Sequence, residues 1–143
     1  MFEYLKSNYK YAEIEMPLSQ DVINKISKDC FLKFGVYIPK EYHLFLQELN
    51  GFYYNGYAIF GCYDSEMIEK DKGLAGLDLV SFNERFRDFS EIEDLLIIGK
   101  SSIDYIAYEL ATNQYVIVTN GTLDEIYRSS SFLAILSNYL EDL

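Results

Sequence analysis

The apolar residues of this chain change their period along its length, and that change limits what it can fold into. Between Ser19 and Leu49 they recur at three- and four-residue steps. From Phe52 to Val118 most of them fall into short β-prone runs, and after Ser131 the helical step returns. Helices gathered at the ends and strands in the middle predict an α+β domain with a mainly antiparallel sheet of five or six strands. The length of 143 residues suits one domain, taken as 1–143, with 1–16 as an N-terminal arm of undecided structure.

Local signals set the elements. Ser19 can cap a helix whose face carries Val22, Ile23, Ile26, Cys30 and Phe34, and Gly35 ends it. Ile38-Pro39 opens a second helix with Tyr42, Phe45, Leu46 and Leu49 on its apolar face, and Asn50-Gly51 reads as its stop. Asn55-Gly56 marks a hairpin before the strand Tyr57 to Phe60, which closes at Gly61. Residues 64–76 read as an exposed, partly helical connection. Leu79, Phe82, Phe86 and Phe89 predict a third helix over about 78–88. A meander follows: Leu95 to Gly99, Ile103 to Leu110, Tyr115 to Val118 and Glu125 to Tyr127. A last helix, capped within Ser129–Ser131, carries Phe132, Leu133, Leu136, Tyr139 and Leu140.

The charge is lopsided. The formal net charge is -11, and residues 51–143 hold sixteen carboxylates against six cations, while residues 1–50 hold seven against six. A nucleic-acid binder needs cations to displace phosphate counterions, so direct nucleic-acid binding is not expected, nor is attraction to an anionic membrane. An acidic half can instead steer a basic protein into contact. No run approaches the roughly twenty apolar residues of a membrane span. Met1 is followed by Glu3, Lys6 and Lys10 without an apolar h-region, so a cytoplasmic location is expected.

Catalytic patterns are scarce. His43 is the one histidine, and it sits on the second helix among Lys40, Glu41, Gln47 and Glu48 with no nucleophile beside it in sequence. Glu91, Glu93 and Asp94 crowd one connection, where acids stay solvated. Asp64, Glu66, Glu69 and Asp71 lack the central glycine and closing glutamate of a calcium loop. Gly51, Gly56 and Gly61 have no following helix to complete a phosphate cradle, and read as a helix cap, a hairpin turn and a strand end. Cys30 and Cys62 form no Cys/His cluster and are expected to be free and buried. No cofactor, metal or catalytic residue is assigned, and an enzyme is not expected. The remaining signal is aromatic: there are 14 tyrosines. Tyr53, Tyr54, Tyr57 and Tyr63 are too closely spaced for all to be buried, and tyrosine beside acid suits an arginine- or lysine-rich surface.

The order of elements resembles the SMI1/KNR4 family of the SUKH superfamily. The residues that carry the likeness are Ile38, Pro39 and Tyr42, then Phe45, Leu46, Leu49, Asn50 and Gly51. They continue with the strand Tyr57 to Gly61, the strand Leu95 to Gly99, Asp104 and Tyr108 beyond it, and the final helix with Phe132 and Leu136. The resemblance covers about 17–143, although the chain has no tryptophan, which many members carry near the start. It implies a non-catalytic protein-binding module. Bacterial members are immunity proteins that neutralise toxins, often nucleases, and fungal members are scaffolds in cell-wall signalling. The expected function is therefore neutralisation of a basic toxin domain by direct binding, with an intracellular scaffold lacking a toxin partner as the alternative. The expected contacts are Tyr53, Tyr54, Asp64, Glu66, Glu91, Glu93, Asp94, Asp104 and Glu109.

Overall fold

A computed structural model describes residues 13–15, 17–89 and 94–141. Helix α1 spans Gln20–Phe34; the Ser19 side chain accepts from the Val22 amide, and Gly35 ends the helix. Helix α2 spans Lys40–Glu48. Pro39 stands just before it, and its carbonyl accepts from the His43 amide at 2.9 Å, so the missing proline N–H costs no bond. Shorter helical pieces follow at α3 (Ser65–Lys70) and a 3-10 turn (Lys72–Leu77), then α4 (Leu79–Phe89) and, near the end, α5 (Phe132–Tyr139).

The strands are β1 (Glu13–Glu15), β2 (Asn50–Tyr54), β3 (Tyr57–Ile59), β4 (Leu95–Lys100), β5 (Asp104–Glu109), β6 (Gln114–Thr119) and β7 (Glu125–Ser129). They lie side by side in chain order, every neighbouring pair antiparallel. The α+β class is as expected. The sheet has seven strands where five or six were expected, because part of the N-terminal arm is strand: Glu13 pairs Tyr53 and Glu15 pairs Asn50. Three residues offer too short an alternation to read from sequence.

Parity along β5 separates the two faces, since Tyr105 and Tyr108 are three residues apart and point oppositely. The Tyr108 ring meets Tyr115, and Tyr115 meets Phe132 of α5, which also touches Tyr42 and Phe45 of α2. On the other face Tyr105 meets Phe82 and Phe86 of α4. These aromatic rings therefore pack on both faces of the sheet.

One correction concerns a polar residue at the centre. Asn50-Gly51 is not a helix stop by left-handed capping: α2 ends at Glu48, Leu49 is extended, and Asn50 opens β2. The buried Asn50 amide donates to the Cys62 carbonyl at 2.9 Å and accepts from the Cys62 N–H at 2.8 Å, tying β2 to the chain beyond β3. Gly51 and Gly61 serve that crossing: a Cβ on Gly61 would stand 2.5 Å from the Asn50 carbonyl oxygen, and one on Gly51 would stand 2.9 Å from the Gly61 nitrogen. The Asn55-Gly56 hairpin forms as expected, with φ of 51° and 83° at its two turn residues.

Helix α4 completes the sheet where β3 runs out. Asn83, fully buried, donates to the Ile97 carbonyl and accepts from the Ile97 N–H, both at 2.8 Å. One turn later Arg87 donates to the Leu95 carbonyl at 2.8 Å. A helix side chain here does the work of a neighbouring strand, so the edge of β4 is not left unpaired.

Candidate functional site

The residues expected to meet a partner do not form one patch. Tyr53 is exposed and Tyr54 half-buried at the end of β2, beside the hairpin. Asp94 is exposed at the start of β4, and its carbonyl accepts from Leu110. Glu91 and Glu93 lie outside the described residues. Asp104 is half-buried at the other end of β5; burial holds its carboxyl above the usual aspartate range. Glu109 is already engaged. Arg128 donates to it at 2.9 Å and to Glu125 as well, and the Arg128 and Thr112 bonds hold the Glu109 carboxyl below its ordinary value. Its charge is therefore largely neutralised within the sheet.

Asp64 and Glu66 stand in a different setting. Asp64 caps α3, its Oδ1 accepting from the Met67 N–H at 2.8 Å, and it remains exposed. The helix it starts carries Glu66 and Met67 outward. Glu66 faces Lys70 at 3.4 Å, but both side chains are so exposed that the pair screens little. Asp64, Asp88 and Asp94 have no cationic partner among the described residues.

Next to Asp64 lies a groove of about 540 Å³ between α1, the segment after β3 and α3. Leu18, Val22, Lys25 and Ile26 line it from the α1 side, and Tyr63, Asp64 and Met67 from the other. The floor is fixed by the buried Asn50–Cys62 pairing. Two sequence features lead here: Val22 lies at the exposed margin of the α1 face, and Met67 is an exposed apolar residue on a short helix that also carries Glu66, Glu69 and Lys70. The apolar lining beside the Asp64 carboxylate matches a lysine or arginine side chain, whose stem is apolar and whose head is charged, while Lys25 adds one cation to the same lining. The sequence pointed to Asp64 and Glu66; the groove beside Asp64 depends on α1 and the α3 segment standing on either side of it and could not be read from spacing.

A second exposed apolar feature was also missed. Phe31 and Tyr37 stack at 4.3 Å between ring centroids on the outside of α1, and Leu32 beside them is 74% exposed. They lie off the helical face that carries Ile23 and Cys30, which is why the periodicity did not select them.

The candidates for chemistry are scattered. His43 is half-buried on α2, outside both the groove and the hydrogen-bonded pairs above. Cys30 and Cys62 are free and buried, as expected. Burial pushes the Cys30 thiol up to about 12, and Cys62 is shifted the same way, so neither is a thiolate at neutral pH. Among the described residues no group of three or more His, Cys, Asp or Glu could hold a metal ion, and no helix is long and apolar enough to cross a membrane.

Comparison with known proteins returns no match: no protein-family profile, no curated protein and no solved structure matches this chain.

Proposed function

We propose that this chain is a non-catalytic protein-binding module of the SMI1/KNR4 type, and that its partner is a basic toxin domain neutralised by direct binding. The observation that carries this reading is the groove beside Asp64. It joins apolar walls to Asp64, a carboxylate in no ion pair among the described residues, with Lys25 as the one cation of the lining, and residues 51–143 around it hold ten more acids than bases. A basic domain supplies both complements, a long cationic side chain for the groove and a positive field for the approach. A nuclease fits this description, because it needs cations to hold its own substrate. Occluding such a surface requires no chemistry from the inhibitor.

The test is co-expression of the full chain with the protein encoded beside it, in cells that the latter kills. The wild-type chain should restore growth, and the reversal Asp64→Lys/Glu66→Lys should abolish rescue while leaving the chain folded. Binding without any rescue would instead favour the scaffold reading. Absence of both binding and rescue would remove the toxin reading.

A further inference from the structure

A second groove, of about 510 Å³, carries two cations and no carboxylate in its lining. It lies on the α4 face of the sheet, between α4, the end of β4 and the β6–β7 turn. Phe82, Phe86 and Tyr105 supply aromatic surface, Leu123 closes the turn side, and Arg85 and Lys100 reach into it. In a chain this acidic, most cations of the acidic half are occupied. Lys70, Lys72 and Arg128 lie against carboxylates, and Arg87 is bonded to Asn83 and to the Leu95 carbonyl. Arg85 and Lys100 meet no carboxylate among the described residues.

Gly76, in the 3-10 turn, marks where they converge. A Cβ built there would stand 3.7 Å from Lys100 Nζ and 3.9 Å from an Arg85 guanidinium nitrogen, with nothing closer. Arg85 is held by its bond to the Ala75 carbonyl at 3.3 Å, and Lys100 lies 5.2 Å over the Phe82 ring. Two like charges thus converge on one position at the 3-10 turn, and both also line the groove that holds the Phe82, Phe86 and Tyr105 rings. Leu123 adds an independent sign of a shaped site. Its φ of 59° is a strained conformation for leucine, fixed by its N–H bond to the Thr119 carbonyl at 3.0 Å.

We propose that this groove binds a small aromatic anion, its acid group between Lys100 and Arg85 and its ring against Phe82, Phe86 and Tyr105. Its volume lies within the roughly 300–1,000 Å³ of small-molecule pockets. Burial, and secondarily the neighbouring Arg85, hold the Lys100 ammonium below the usual lysine range. An anion placed there relieves that strain. The site is separate from the groove beside Asp64, and its chemistry repels the cations proposed to enter that one.

The experiment is an amide-resolved NMR titration of the full chain with phenyl phosphate and with phenylacetate; inorganic phosphate and benzyl alcohol serve as controls. At least one aromatic acid should give saturable shifts centred on Lys100, Tyr105 and Gly121, and each control should bind about tenfold more weakly, the loss expected for one charge-assisted contact. Lys100→Gln should weaken binding to a similar degree. Gly76→Asp should abolish it by placing a carboxylate between the two cations, and well-dispersed spectra will show that both variants are folded. Absence of saturable shifts with both acids, or binding unchanged in both variants, would overturn the proposal.

Discussion

Asn50 and Asn83 are buried amides that each satisfy both polar groups of a backbone residue, Cys62 in one case and Ile97 in the other. Removing such an amide strands a buried donor and a buried acceptor. Asn50→Ala and Asn83→Ala should each cost about 2–4 kcal/mol, from a penalty of roughly 1–3 per stranded group, seen as a lower urea midpoint. Sequence reading places Asn50 at a helix stop because Asn-Gly is a local signal, whereas its true partner lies twelve residues away in the segment after β3. The titratable residues allow a second prediction. The folded Glu109 carboxyl is held below its ordinary 4.5 by Arg128. Its contribution to stability is therefore present above that value and is lost as pH falls through the lowered one. Asp104 has the opposite sign: its carboxyl is raised by burial, so its contribution is present at low pH and lost as pH rises through the raised value. Urea midpoints measured between pH 3 and 7 should show Glu109→Gln losing stability mainly at the upper end. Asp104→Asn should gain there.

At the scale of elements, each helix with a repeated apolar step was legible, and the bounds of α1, α2 and α4 agree with the spacing to within about two residues, the usual margin of helix ends. The hairpin at Asn55-Gly56 was legible for the same reason, since its turn chemistry is local. β1 was not, because three residues hold too little pattern and its pairing with β2 is set by the sheet. The crossing of β2 with the segment after β3 was also hidden, although Gly51 and Gly61 were visible as glycines. Gly61→Ala tests that crossing. The added Cβ would lie 2.5 Å from a backbone oxygen, which cannot move aside as a side chain can. A loss of about 1–3 kcal/mol is expected from such overpacking, measured by thermal or urea unfolding. Alanine at Gly35 would test a different effect, because that position is open and only its φ of 76° is unfavourable.

For the molecule as a whole, composition announced an acidic, tyrosine-rich surface but not its organisation. Ion pairing inside the sheet uses up Glu109, and Asp64 gains importance from apolar neighbours on α1 that no sequence window contains. The two grooves differ in character, one lined by a carboxylate and a single cation and the other by two cations with no carboxylate, which sorts ligands by charge. The most direct measurement is the association rate of the chain with the basic toxin domain proposed as its partner, followed by stopped flow as ionic strength is raised. Attraction led by the Asp64 surface predicts a rate that falls about tenfold or more from low to high salt, and a low-salt rate largely lost in Asp64→Lys/Glu66→Lys. A rate indifferent both to salt and to that reversal would contradict the account.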